Sequence, residues 1–131
     1  MAYVHEIVVD CRHPASLARF WAAVLDDYAI APYDEAELAR LRGLGVNEPE
    51  DDPTVRVEAA GGQPSLFFQR VPEPRTVKNR LHLDLRCAAP FEAEKSRLMS
   101  LGASVLAEHG TFIVLADPEG NEFCLSRRAS R

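Results

Sequence analysis

A short motif occurs twice in the chain of 131 residues, at a constant offset of 76 residues. The first copy, residues 6–14, reads EIVVDCRHP, and the second, residues 82–90, reads HLDLRCAAP. A cysteine and a proline recur at matching places, and the same offset carries Leu25 onto Leu101 without a gap. Self-similarity at a fixed spacing indicates that one structural unit has been built twice. The sequence therefore predicts two modules in register.

Each copy of the motif is predicted to be a strand that leads into a helix. After Pro14, which suits the first turn of a helix, apolar residues recur three and four positions apart. These residues are Leu17, Phe20, Trp21, Val24 and Leu25. The second helix, residues 91–101, is more polar and ends at Gly102, a favoured C-terminal cap. Its predicted core residues are Phe91, Leu98 and Leu101.

Further strands are predicted after each helix. They lie at 55–59 and 66–70 in the first half, and at 104–107, 112–116 and 122–126 in the second. The turn sequences GGQP and DPEG precede the last strand of each half, because glycine permits a positive φ and proline fixes φ. This order of elements predicts an α+β fold made of two tandem βαβββ modules.

The chain length fits one domain, so both modules are predicted to belong to it. The first module covers about residues 1–72, a linker covers 72–79, and the second module covers about 80–131. Residues 34–45 form an insertion in the first module. We predict a short extra helix there, because Asp34 and Glu37 have the spacing of a capping box.

The composition is that of an ordinary soluble protein, with 47% hydrophobic residues and a formal net charge of -5. This charge argues against a nucleic-acid partner, which would need clustered basic residues. No apolar run approaches the roughly 20 residues of a membrane span, and no signal-peptide pattern is present. Three cysteines in no CxxC pair favour a reducing compartment. We therefore expect a cytoplasmic protein with no membrane partner.

Alternation along the predicted strands indicates which side chains line a cavity. The leucines of the strand predicted at 81–86 are Leu81, Leu83 and Leu85. They are expected to pack on the helices, so His82 and Asp84 face the other side, and the repeat places Glu6 on that side too. The predicted convergent set is Glu6, Gln69, His82, Asp84, Glu122 and Cys124, with Phe67 and Phe112 as apolar walls. Polar groups among aromatic side chains are typical of a small-molecule site.

Two segments carry a resemblance to a known family. Residues 67–85 contain FFQRVPEP and KNRLHLDL, and residues 116–124 read ADPEGNEFC. They resemble the glyoxalase-like proteins of the vicinal oxygen chelate superfamily, which also includes bleomycin-resistance proteins and extradiol dioxygenases. The resemblance covers nearly the whole chain. It implies that the two modules form a curved, incomplete mixed β-barrel with the helices outside, and that the protein is a homodimer.

The resemblance also implies positions for a metal. Metalloenzymes of the superfamily place one ligand on the first strand and one on the last strand of each module. Those positions are Glu6, Gln69, His82 and Cys124 in this chain. The fourth position is normally a carboxylate, and here it is a thiol. One divalent ion (Zn, Ni, Mn or Fe) and a metal-free site both stay open, whereas a two-histidine iron site for ring cleavage is disfavoured.

Three functions fit these residues. The first is a lyase or isomerase in which His82 or Glu122 moves a proton, with metal assistance as an open alternative. Its substrate would be bound by Phe67, Gln69, Asp84, Phe112 and Cys124. The second is a non-catalytic protein that binds a drug or metabolite, and the third is an interaction module. A purely structural role is open as well, with His82 and Asp84 as a buried pair and Cys124 as a small core residue.

Overall fold

The computed structural model describes residues 1–128. The chain divides into two compact units, Met1–Pro74 and a second unit that begins at Arg75. The first unit contains β1 (Glu6–Cys11), α1 (Pro14–Val24), β2 (Tyr28–Ile30), α2 (Glu35–Gly43), a short 3₁₀ helix (Pro49–Asp51), β3 (Thr54–Ala59) and β4 (Ser65–Arg70). The second contains β5 (Leu83–Leu85), α3 (Phe91–Leu101), β6 (Ser104–Glu108), β7 (Phe112–Ala116) and β8 (Glu122–Ser126).

Both units have the same sheet topology. The strand order is β1-β4-β3-β2 in the first sheet and β5-β8-β7-β6 in the second. In each sheet the first strand of the module runs parallel to the last, and the other pairs are antiparallel. The predicted α+β fold of two tandem βαβββ modules is therefore confirmed. Strand β2 was not predicted, because three residues are too few to show an alternating pattern.

The core of the first unit lies between α1 and one face of its sheet. Helix α1 contacts β2, β3 and β4. Its buried side chains include Leu17, Phe20, Trp21 and Val24, and they meet Val55, Val57, Leu66 and Phe68 from the strands. Burying each large apolar side chain contributes about 1.5–3 kcal/mol. The opposite face of this sheet carries the alternate, more polar residues of the same strands.

Helix α3 contacts both the sheet of the second unit and the residue that follows β8. Lys95 forms an ion pair of 2.7 Å with Glu108 on β6, and the guanidinium of Arg127 lies 4.4 Å from the ring centre of Phe91. Leu98 is fully buried, as predicted. The core predictions for Leu81 and Leu101 are wrong, since these residues are 66% and 36% exposed. Leu81 lies before β5, and Leu101 is the last residue of α3. Side chains at or beyond the end of an element have fewer neighbours on the packed face, so both leucines are exposed.

A buried carboxylate fastens the inserted segment to β3. Helix α2 starts after Asp34, whose side chain accepts a hydrogen bond from the backbone N–H of Glu37. Asp52, only 1% exposed, accepts hydrogen bonds from Tyr33 (2.7 Å), from Arg40 (2.7 Å) and from the Thr54 backbone (3.0 Å). Burial by itself raises the pKa of Asp52, but these donors outweigh it and lower the pKa.

We expect the substitution Asp52→Ala to lower the free energy of unfolding by about 2 kcal/mol, because it leaves three donors without their acceptor. Asp51→Ala, at the exposed neighbouring position, serves as the control and should change stability by less than about 0.5 kcal/mol. Urea unfolding of both variants at neutral pH measures the difference. Equal stability losses in the two variants would contradict this role of Asp52.

The stability that the Asp52 hydrogen bonds contribute depends on pH, and it decreases in acid. The pKa of Asp52 is lower in the folded protein than in the unfolded chain, where it is about 3.9. The ionised Asp52 therefore stabilises the folded protein above about pH 3.9, and this stabilisation is lost as the pH falls through the pKa of the folded state. The stability difference between the wild type and Asp52→Ala should therefore shrink below about pH 4. Urea unfolding repeated between acidic and neutral pH checks this.

Candidate functional site

The pairing of β5 with β8 places three reactive side chains on the open face of the second sheet. Leu83 and Leu85 lie opposite Phe123 and Leu125, whose side chains are buried on the core face. The intervening pair, Asp84 and Cys124, must therefore point to the other face. His82 lies two residues before Asp84 and reaches the same side. Strand alternation read from the sequence predicts this arrangement.

These three side chains lie close together. The Nε2 atom of His82 is 3.5 Å from the Oδ1 atom of Asp84, and the ligating atoms of His82, Asp84 and Cys124 all lie within 4.8 Å of one another. The side chains of His82 and Asp84 are 46% and 80% exposed, whereas Cys124 is half-buried. The structural alternative of a buried His82–Asp84 pair is therefore wrong. Both groups are accessible to a ligand.

The environment keeps the thiol of Cys124 protonated at neutral pH. Burial raises the pKa of this thiol, and the neighbouring carboxylate of Asp84 raises it further by its negative charge and by a hydrogen bond. A thiol is a much weaker nucleophile than a thiolate. Cys124 is therefore poorly suited to attack a substrate in the unliganded protein.

A cleft of about 360 Å³ surrounds these residues, within the usual range for small-molecule sites. Its lining consists of His82, Asp84, Leu85, Arg86, Thr111, Phe112, Cys124, Ser126 and Arg128. The ring of Phe112 forms an apolar part of the wall and is stacked on His109, with ring centres 4.6 Å apart. Arg86 and Arg128 outnumber the single carboxylate, so the cleft favours a ligand that carries negative charge.

Glu122, predicted as an alternative proton carrier, does not line this cleft. Its carboxylate forms an ion pair of 3.0 Å with Lys78, and its backbone N–H donates to the side chain of Asn79. The hydrogen bond from Lys78, its positive charge and Asn79 lower the pKa of Glu122. The pKa of Glu122 therefore lies below its ordinary value.

The predicted site residues of the first unit lie on the open face of its own sheet. Glu6 accepts a hydrogen bond of 2.8 Å from Arg56, whose guanidinium lies 5.6 Å from the ring centre of Phe67. Gln69 donates a hydrogen bond of 2.7 Å to Asp10. Glu6 and Gln69 are therefore engaged by partners within their own unit.

The four superfamily metal positions do not form a suitable ligand set here. The carboxylate of Glu6 is neutralised by the fixed positive charge of Arg56, which also repels a metal ion. The amide of Gln69 is held by Asp10, and the fourth position is the thiol of Cys124. A Glu, Gln, His and Cys combination also matches neither a usual zinc site nor an oxygen-rich site.

Several lining residues were missed by the sequence reasoning. Arg86 and Ser126 share the strand parity of Asp84 and Cys124; alternation places Arg86 on this face, but neither residue was included in the predicted convergent set. Thr111 and Arg128 lie outside the strands and carry no such signal. A second cleft of about 410 Å³ in the first unit was also missed. Its lining includes Tyr33, Asp34, Glu37, Arg40, Asp52, Thr54, Arg56, Glu58 and Phe67.

Comparison with known proteins gives a consistent result. A family model described as a glyoxalase-like domain matches residues 6–126. The fosfomycin resistance protein FosX from Mesorhizobium loti is 14% identical and has a TM-score of 0.68, over 98% of this chain and 94% of that chain. A glyoxalase/bleomycin resistance protein/dioxygenase family enzyme from Burkholderia phytofirmans PsJN is 15% identical with a TM-score of 0.62, over 95% and 97% of the two chains. At these identities the similarity shows the fold alone.

No curated protein matches the sequence. Within residues 1–128, no helix has both the length and the apolar character that a membrane span requires.

We expect Lys78→Met to raise the pKa of Glu122 towards its ordinary value of about 4.3, because the substitution removes the ion pair that lowers it. Carboxyl-detected NMR titration measures the change. The control is Lys95→Met, which should raise the pKa of Glu108, the partner of Lys95, and leave Glu122 unaffected. A Glu122 titration that does not move in Lys78→Met would contradict the pairing.

Proposed function

The chain belongs to the glyoxalase-like domain family, and from this premise we propose that it is a small-molecule enzyme of lyase or isomerase type that acts in the cleft of the second unit. The observation that carries the proposal is the exposed His82–Asp84 pair beside a cleft with an apolar wall and an excess of positive charge. Fold alone would not support an activity, because unrelated reactions occur on one scaffold.

In the proposed reaction, His82 accepts a proton from a carbon next to a carbonyl group of the substrate. Asp84, 3.5 Å from the imidazole, orients the ring and stabilises the imidazolium that forms. The positive charges of Arg86 and Arg128 offset the negative charge that develops on the substrate oxygen. His82 is preferred over Glu122 because the ion pair with Lys78 makes Glu122 a weaker base, and because Glu122 does not line the cleft.

The remaining predicted contacts divide between the two units. Asp84, Phe112 and Cys124 line the cleft and are proposed substrate contacts, with Phe112 packing on the apolar part of the ligand. Phe67 and Gln69 stay predicted substrate contacts on the open face of the first sheet. Asp10 already accepts a hydrogen bond from the amide of Gln69, and Arg56 lies over the ring of Phe67.

A second candidate function is non-catalytic binding of a drug or metabolite. It is favoured by the internal pairing of Glu6 with Arg56 and of Gln69 with Asp10, which leaves no superfamily ligand set. One structural relative is named a fosfomycin resistance protein. Fosfomycin is therefore a suitable probe, since its negative charge also matches the charge of the cleft.

Exchange of carbon-bound protons distinguishes these functions. We expect chelator-treated protein in deuterated water to accelerate deuterium incorporation into the hemithioacetal of methylglyoxal and glutathione or into dihydroxyacetone, as followed by proton NMR. His82→Gln should slow the exchange at least about 100-fold, because it removes the proton acceptor. His5→Gln, at an exposed position of the first unit outside the strands, is the matched control and should leave the rate unchanged.

The outcomes separate the two candidates. Exchange that persists in His82→Gln would exclude His82 as the base. Saturable binding of fosfomycin or of either carbonyl probe, without exchange in any of them, would establish the binding function in place of the enzyme.

A further inference from the structure

We propose that His82, Asp84 and Cys124 bind one zinc ion that is held entirely by the second unit. This site differs from the four superfamily positions, since it includes Asp84 and excludes both Glu6 and Gln69. It goes beyond the proposed function, which requires no metal. Three different ligating groups that converge on the open face of one sheet are the observation that carries it.

The backbone brings the three ligating atoms together. Asp84 and Cys124 are direct partners in the parallel β5–β8 pair, and His82 lies on the same side two residues earlier. Zinc bonds of about 2.0–2.3 Å in a tetrahedral site place neighbouring ligand atoms roughly 3.5 Å apart. The His82–Asp84 separation is already 3.5 Å, and the largest separation in the group is within 4.8 Å. Rotation of the exposed His82 and Asp84 side chains can supply the remaining approach.

The donor set selects the metal. A thiolate favours zinc over magnesium and calcium, which prefer oxygen ligands, and imidazole and carboxylate are ordinary zinc ligands. On binding, the Cys124 thiol releases its proton to solvent, a sulfur–zinc bond forms, and zinc stays in its divalent state. Three protein ligands leave a fourth position, which opens onto the cleft lined by Phe112 and Ser126.

The two units differ in whether the carboxylate that could bind a metal ion is already paired with an arginine. In the first unit, Arg56 is a built-in cation beside Glu6, so a metal ion there would have to displace an ion pair and approach a guanidinium. In the second unit, among residues 1–128, Asp84 has no ion pair with a lysine or arginine, and it lies beside the imidazole of His82 and the thiol of Cys124. The Asp84 carboxylate is therefore available to a metal ion.

Zinc binding has a consequence for the proposed reaction, and this consequence alone rests on the proposed function. Coordination uses the lone pair of the imidazole that would otherwise accept a proton. Zinc occupancy and proton transfer by His82 therefore exclude each other. Zinc would inhibit the exchange reaction of the chelator-treated protein.

Cobalt substitution tests the site directly. The full chain, without an affinity tag and after chelator treatment, is titrated with Co²⁺ and then with Zn²⁺. We expect a thiolate-to-cobalt charge-transfer band that saturates at one equivalent and disappears when zinc displaces cobalt. Cys124→Ser should abolish the band, and Asp84→Asn should keep it while weakening cobalt affinity more than about tenfold. Cys87→Ser is the matched control, because Cys87 is also half-buried but lies outside the cleft.

Three results would overturn the proposal: no charge-transfer band in the wild type, a band lost in Cys87→Ser instead of Cys124→Ser, or unchanged affinity in Asp84→Asn. Because Asp84 is 80% exposed, its substitution is not expected to unfold the protein. X-ray absorption of the zinc-bound wild type is a second measurement, since it determines the number of sulfur ligands and requires no substitution. The deuterium exchange test uses metal-free protein. Failure of the zinc site and failure of the proposed function are therefore distinguishable.

Discussion

The parallel pairing of the first strand with the last strand of each module is the constraint on which the rest of the structure depends. It places β1 beside β4 and β5 beside β8, and it sets which residues of these strands are neighbours. Because side chains alternate, one face of each sheet is apolar and covered, and the other collects polar groups. In the second unit this register makes Asp84 and Cys124 neighbours. A slip of one residue would send both into the core face and bring Leu83 and Leu85 out.

The two modules share a backbone plan but differ in chemistry. The residues related by the repeat, Val8 and Asp84, both pair with the last strand of their module, but Val8 lies opposite Phe67 whereas Asp84 lies opposite Cys124. On the open face of the first sheet, Arg56 and Glu6 form an ion pair that neutralises both charges. The cleft of the second keeps an exposed imidazole, a carboxylate and a thiol within reach of one another. The two modules therefore share their topology, while His82, Asp84 and Cys124 are grouped in the second module alone.

Ion pairs determine which of the predicted site carboxylates are available to a ligand or for proton transfer. Lys78 binds Glu122 and Arg56 binds Glu6, so two carboxylates that strand parity selects are already neutralised. Neither partner could be identified from the sequence, because Lys78 lies before β5 and Arg56 lies on β3, far along the chain from Glu6. Alternation determines the face on which a side chain lies. It contains no information about which long, flexible side chain from another strand reaches it.

The sequence by itself determined the two tandem βαβββ modules and the side of the sheet on which His82, Asp84 and Cys124 lie, because repeats and alternation are local properties of the chain. Only the tertiary structure decided that Leu81 is exposed, that Glu122 is paired with Lys78, and that the three ligating atoms of the second unit lie within 4.8 Å. The physical reason is that local pattern fixes the direction of a side chain. Its burial, its ionic partner and its distance to other groups depend on segments that only folding brings together.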